Sequence, residues 1–156
     1  MYATAWISAL LFFASQLSSA RIPITSASWR LYLSRLGAGV MWLHIGCAYW
    51  LTHAGSHRAA VEHVANRTEE FLGLRSGLGI YANFLAALAW SWLALSSSRM
   101  TLAKRVAIVF LWCMWISATI IFAQPVSRLF FAALVVAILA ANRTGAMLAA
   151  PSNKPP

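Results

Sequence analysis

The chain has 156 residues, of which 61% are hydrophobic and only 10% charged. Too little polar surface remains to coat a soluble globule of this size, so the composition excludes an ordinary water-soluble domain and makes the bilayer the expected solvent. The net charge of +9 implies no nucleic-acid partner, because most of it falls beside apolar stretches, where anionic headgroups and the rules of membrane orientation account for it.

In chain order, five apolar stretches run from about Tyr2 to Ala20, Leu36 to Thr52, Gly77 to Ser97, Val106 to Ala123 and Val126 to Ala141. A membrane crossing takes about 20 mainly apolar residues, so each stretch is a candidate span, the last one short. Arg128 extends that last span by snorkelling, its stem along the outermost turn and its guanidinium among the headgroups. Gln124 and Pro125 supply the turn before it, since proline lacks an amide proton and disfavours helix in the preceding residue. A disordered tail is expected over about 146–156.

The basic residues alternate between sides. Arg21, Arg30, Arg35, Arg99, Lys104, Arg105, Arg143 and Lys154 fall on one, and Arg58, Arg67, Arg75 and Arg128 on the other. Short loops rich in Lys and Arg stay in the cytoplasm, so the first side is expected inside, the N-terminus outside and the C-terminus cytoplasmic. The bacterial inner membrane is the expected location. The rival for the first stretch is a cleavable signal peptide, with Ser18, Ser19 and Ala20 as the small residues before the cut. Against it, no Lys or Arg precedes the apolar run, whereas three arginines follow it.

Between the second and third stretches, Ser56 to Leu72 has the period of an amphipathic helix, with Ser56 as its cap. His57, Val61, Val64, Thr68, Phe71 and Leu72 gather on one face; Arg58, Glu62, His63, Asn66, Arg67, Glu69 and Glu70 occupy the other. Gly73 and Gly77 end the element. Such a helix lies in the headgroup region or across the mouth of a bundle. Glu69 and Glu70 are expected to screen Arg67 and Arg58. His53 and His57 are separated by a Gly-Ser bend that lets the two imidazoles converge, and Tyr49, Tyr81 and Asn83 belong to the same outer layer.

The segment His53-Ala-Gly-Ser-His57-Arg-Ala-Ala-Val-Glu-His63, followed by Gly79-Ile-Tyr81-Ala-Asn83-Phe84, resembles the middle of a family of small, uncharacterised bacterial multi-pass membrane proteins. That family carries a run of glycines before the Tyr and Asn, where this chain has Ser76-Gly77-Leu78-Gly79. The resemblance covers about a quarter of the chain and implies no activity and no functional residue.

Among single residues, His44 points most strongly to a role, because an ionisable group at bilayer depth is costly. Its structural reading is a hydrogen bond to a carbonyl or to a hydroxyl such as Ser91 on a neighbouring helix. The candidate cofactor-binding set is His44, His53, His57, Tyr81 and Asn83; the candidate metal ligands are His53 and His57. Haem needs facing axial ligands, yet every histidine lies between positions 44 and 63. Met41, His44, Cys47, Cys113 and Met114 offer soft ligands suited to Cu(I), although the first three fan around their helix. His53, His57, Glu62 and His63 make the better zinc candidate, though His57 opposes the last two. Cys47 and Cys113 are too few for a disulfide framework and are expected to be free thiols. No protease motif is present, and no fixed charge lies in the interior of any apolar stretch, at the midplane where a transporter would require one.

Eight tryptophans exceed what two interfacial belts need. Trp29, Trp50 and Trp92 fit such belts, while Trp42, Trp112 and Trp115 are expected deep, as core packing or as the lining of a cavity for a quinone or lipid tail. Gly37, Gly39, Gly46, Ala82, Ala86 and Ala89 are expected at close helix contacts.

The sequence thus predicts an all-α integral membrane bundle: five transmembrane helices in one domain, with an amphipathic interfacial helix over the outer mouth. Its expected partners are the lipid bilayer and another membrane protein. The first functional expectation is a non-enzymatic subunit or accessory component of a membrane assembly. The alternatives are a binder of an apolar ligand or cofactor (quinone, lipid or haem) at the outer patch, and a metal-dependent membrane enzyme.

Overall fold

Among the described residues all regular structure is helical, with no strand. The computed structural model describes residues 2–16, 27–96, 99–122, 128–129, 131–137 and 140. Five α-helices follow in order: α1 (Tyr2–Ser15), α2 (Ala27–Cys47), α3 (His57–Leu72), α4 (Gly79–Leu95) and α5 (Leu102–Phe122). A π-helical turn, Ala48–Thr52, continues α2, and residues 131–137 are also helical. α1 packs along α2, α2 on α4, and α4 on α5, while α3 reaches both α4 and α5.

The core is aromatic. Phe12 and Phe13 of α1 are fully buried and meet Trp90 of α4, Trp112 of α5 and Phe131 edge to face, at centroid distances of 5.3, 4.9 and 5.2 Å for Phe12–Trp90, Phe13–Trp112 and Phe13–Phe131. Trp115 joins the cluster 6.4 Å from Trp90. Edge-to-face pairs contribute about 0.5–1.5 kcal/mol each beyond area burial, so four segments are tied together at one place. Trp112 and Trp115 are therefore core residues. Trp42 is not among them: it lies 39% exposed and donates from Nε1 to Ser91 Oγ at 3.0 Å.

α2 and α4 approach closely because Gly37 has no side chain. A Cβ there would lie 2.7 Å from Trp90 Cη2 and 3.1 Å from Leu11 Cβ, which no relaxed structure tolerates. Trp90 Nε1 in turn donates to Ser34 Oγ at 3.1 Å, and Arg35 Nε donates to the Ala94 carbonyl at 3.2 Å. The arginine thereby satisfies a carbonyl in the last turn of α4, an acceptor the helix leaves unpaired.

Among the described residues only α5 is long and apolar enough to cross a membrane, and almost none of it is buried. α1 has 14 residues and α4 has 17, about 21 and 26 Å at 1.5 Å per residue, short of a hydrocarbon core of about 30 Å. The second apolar stretch, Leu36 to Thr52, lies inside a longer helical rod that starts at Ala27, so Arg30 and Arg35 are helical residues. The fourth stretch likewise begins early: Thr101 Oγ1 accepts from the Lys104 N–H at 3.3 Å, and this cap brings Lys104 and Arg105 into α5 instead of leaving them in a loop. Part of the fifth stretch (126–127, 130, 138–139 and 141), together with Gln124, Pro125 and the tail, lies outside the described residues.

Candidate functional site

The site is assembled where the π turn, α3 and the start of α4 meet. After Thr52 the chain reverses through Ala54 (φ 49°) and Gly55 (φ 74°), both left-handed. Gly55 is required twice over, by its φ and because a Cβ would sit 3.1 Å from the Trp50 ring. Its N–H donates to the Tyr49 carbonyl at 3.0 Å. Ser56 then caps α3, accepting from the Ala59 N–H at 3.2 Å, and Gly73 closes it at φ 68° with its N–H on the Glu69 carbonyl at 2.9 Å.

α3 rests on the following segment through Val61 and Val64, and Ala60 and Ala65 are its buried residues. Val61 packs directly on Gly77, where an added Cβ would lie 3.0 Å from the Val61 carbonyl oxygen, and Val64 packs on Gly79, with a Cβ there 2.9 Å from Val64 Cγ1. These glycines do more than turn the chain: they let a helix lie on the backbone. Phe71 and Leu72 stay exposed, and the guanidiniums of Arg67 and Arg128 stand over the Phe71 ring at 5.6 and 4.7 Å.

His57 is clamped between two phenols. Nδ1 lies 2.6 Å from the Tyr49 hydroxyl and Nε2 lies 3.0 Å from that of Tyr81. A neutral imidazole has one donor and one acceptor nitrogen, so one tyrosine donates to the ring and the other accepts from it. Three elements are joined by a single side chain. His53 instead stands beside His63, with ring centroids 5.3 Å apart. Burial, and then the neighbouring His63, hold the His53 imidazole below its ordinary value: both disfavour the charged form.

His44 lies one layer deeper. Its Nδ1 meets Thr4 Oγ1 of α1 at 3.0 Å, so its hydroxyl partner is Thr4 and not Ser91, which serves Trp42 and itself donates to the Ala87 carbonyl at 2.8 Å. Nothing in the local sequence of α1 singles out Thr4; its alignment with His44 depends on the packing register. His44 and Asn83, together with Tyr49 and His53, line a cavity of about 40 Å³ closed by Ile45, Ala48, Ile80 and Phe84. A water needs roughly 10–15 Å³, so this space takes a few waters and not a quinone ring. A broader apolar depression of about 250 Å³ opens nearby on α2, between Trp42, Gly46, Trp50 and Phe84.

The acidic residues are engaged on the solvent side. Glu62 and Glu69 both pair with Arg75, the second at 3.1 Å, and Glu70 pairs with Arg67 at 2.5 Å. The expected screening of Arg67 is present, whereas the expected partner Arg58 is replaced by Arg75, which loops back from beyond Gly73. Both cysteines are free thiols, Cys113 exposed and Cys47 half-buried; Met41 is buried in the core and Met114 packs against it. Among the described residues no three His, Cys, Asp or Glu side chains are grouped as a metal site.

No family model matches the chain, and comparison with curated proteins and with solved structures yields no match.

Proposed function

We propose that the chain is a small integral membrane protein that crosses the bilayer five times, N-terminus outside, and that it serves as a non-enzymatic component docked to another membrane protein through α2. The bundle reading is supported by α5, which is apolar, long enough to cross and little buried, by the many large apolar side chains left on the surface, and by the eight-to-four division of basic residues between alternate ends of the apolar stretches. In hydrocarbon, exposed apolar surface carries no penalty, and the short helices α1 and α4 are accommodated by thinning or by snorkelling flanks.

One observation carries the docking role. Trp29, Tyr32, Leu36, Gly39, Leu43 and Gly46 recur at alternating steps of three and four along the outward face of α2, the spacing of a heptad seam. Leu43 is 58% exposed and Tyr32 57%, and a Cβ at Gly39 or Gly46 would meet nothing within 4 Å. Small residues at such positions let a second helix approach until backbones touch, which is what drives association where lipid is as apolar as leucine. The test is purification in mild detergent of the wild type and of Gly39→Leu/Gly46→Leu. The double variant keeps the isolated fold, since its glycines face open space, and loses whatever membrane protein the wild type retains. Equal retention by both defeats the docking role.

A second reading, binding of a quinone or lipid tail, draws on the depression between Trp42, Gly46, Trp50 and Phe84. It predicts a ligand retained after extraction and released by Trp50→Ala.

A further inference from the structure

We propose that His53 and His63 form a two-histidine site for a tetrahedral divalent metal ion, zinc above all, which ties the end of the α2 rod to α3. The site goes beyond the docking role and does not depend on it. It also replaces His57 by His63 in the ligand pair read from the sequence.

The outer histidines differ in what their rings already hold. His57 has both nitrogens engaged, Nδ1 at 2.6 Å from the Tyr49 hydroxyl and Nε2 at 3.0 Å from that of Tyr81. A ligand nitrogen must offer its lone pair to the ion, so His57 can coordinate only by breaking the clamp. His53 and His63 instead face each other from two elements, with ring centroids 5.3 Å and ring planes 54° apart. His53 is half-buried and His63 exposed, which leaves the pair open to dissolved ions from the α3 side.

That separation matches one coordination geometry. A tetrahedral ion with nitrogen ligands at about 2.0–2.1 Å stands about 3.2 Å from each ring centre, so two of its imidazoles have centroids about 5.2 Å apart. Neighbouring ligands of a square-planar ion come to about 4.5 Å, and opposite ones to about 6.4 Å. The tilt of the rings is no obstacle, because each imidazole plane has only to contain its own metal–nitrogen direction and takes any angle about it. Backbone contacts hold both rings in place. The Ser56 N–H donates to the His53 carbonyl at 2.8 Å and the Gly55 N–H to that of Tyr49 at 3.0 Å, while the Ser56 cap and the seat of Val61 on Gly77 fix α3.

The donors choose the ion. Imidazole suits zinc, copper and nickel, whereas carboxylate and carbonyl oxygens suit magnesium, calcium and manganese. The chain has three carboxylates, and arginines hold all of them: Arg75 holds Glu62 and Glu69, and Arg67 holds Glu70. Nitrogen is therefore the coordinating atom here, and the tetrahedral separation selects zinc over square-planar copper or nickel. Structural zinc takes four protein ligands and catalytic zinc three; with two, water fills the other positions. The ion exchanges readily, and its effect is to pin α3 to the π turn.

The site is tested on the full chain in detergent micelles, without a histidine tag and with Cys47→Ser and Cys113→Ser so that no thiol competes. Zinc is titrated by calorimetry, and cobalt(II) serves as a visible probe, since it absorbs strongly in a tetrahedral site and weakly in an octahedral one. The expected result is one ion per chain, with His53→Ala and His63→Ala each weakening binding by at least about 10-fold while circular dichroism shows the helices kept. His63→Cys restores a ligand and adds a thiolate-to-cobalt charge-transfer band in the near ultraviolet. Lack of stoichiometric zinc binding overturns the proposal, as does binding that survives His63→Ala or a His63→Cys cobalt complex without that band.

Discussion

The Tyr49 hydroxyl and His57 Nδ1 lie 2.6 Å apart across a bend of only a few residues, and the far nitrogen of the same ring reaches Tyr81. The π turn, the surface helix and the next long helix thus share one polar pin. Its position follows from local rules: a π turn carries one more residue per hydrogen-bonded ring than α-helix, and Gly55 folds the chain back on it.

Removing either phenol leaves one imidazole nitrogen to water, because the site is exposed. Tyr49→Phe and Tyr81→Phe should each destabilise the docking of α3 by about 0.5–1.5 kcal/mol, the net worth of a hydrogen bond. The check is hydrogen exchange of the α3 amides in micelles, which should accelerate within α3 while those of α5 stay unchanged.

His53 gives the molecule a dependence on pH with a definite sign. Its folded imidazole is held below the ordinary value, by burial first and His63 second, so above about pH 6.5 it is neutral in both folded and unfolded chain and its contribution is fully present. As pH falls from there towards the lowered value the unfolded chain binds the proton first, and stability is lost. A titration followed by the His53 ring resonances should show its midpoint below that of a free histidine. His63→Ala should raise the midpoint part of the way, leaving the burial contribution.

Two glycines on one helix should behave oppositely. Gly37→Ala drives a methyl into the Trp90 ring and should destabilise by about 1–3 kcal/mol, the usual cost of overpacking. Gly39→Ala meets nothing and should gain up to about 1 kcal/mol from helix propensity. Thermal melts of the purified chain in one detergent separate them, and similar melting points for both would contradict the packing described for α1, α2 and α4.

Helical class was legible in composition, and α3 was legible in detail, because a cap, an amphipathic period and a terminal glycine each act within one or two turns. The outer layer was also visible as residue types: His53 and His57 follow the second apolar stretch, and Tyr81 and Asn83 lie early in the third. Their pairing was not. Whether His57 faces His53 or two tyrosines depends on the π turn, and no periodicity argument supplies one. Thr4 with His44 and Gly37 with Trp90 were hidden for a similar reason, since each joins helices whose relative register is set by the shape of the aromatic core. Helix starts at Ala27 and Leu102 were missed because hydropathy marks the apolar part of a helix and not the polar turns that precede it.

The central claim is that this polypeptide threads a bilayer five times, and side-specific labelling tests it most directly. Single cysteines introduced at Ala3, Ser56, Arg99 and Asn153, in a chain lacking Cys47 and Cys113, are exposed to a membrane-impermeant maleimide on intact cells and then after lysis. The account predicts that the first two react in intact cells and the last two only after lysis. Ala3 and Asn153 reacting from the same side, or a chain that leaves the membrane in alkaline carbonate, would contradict it.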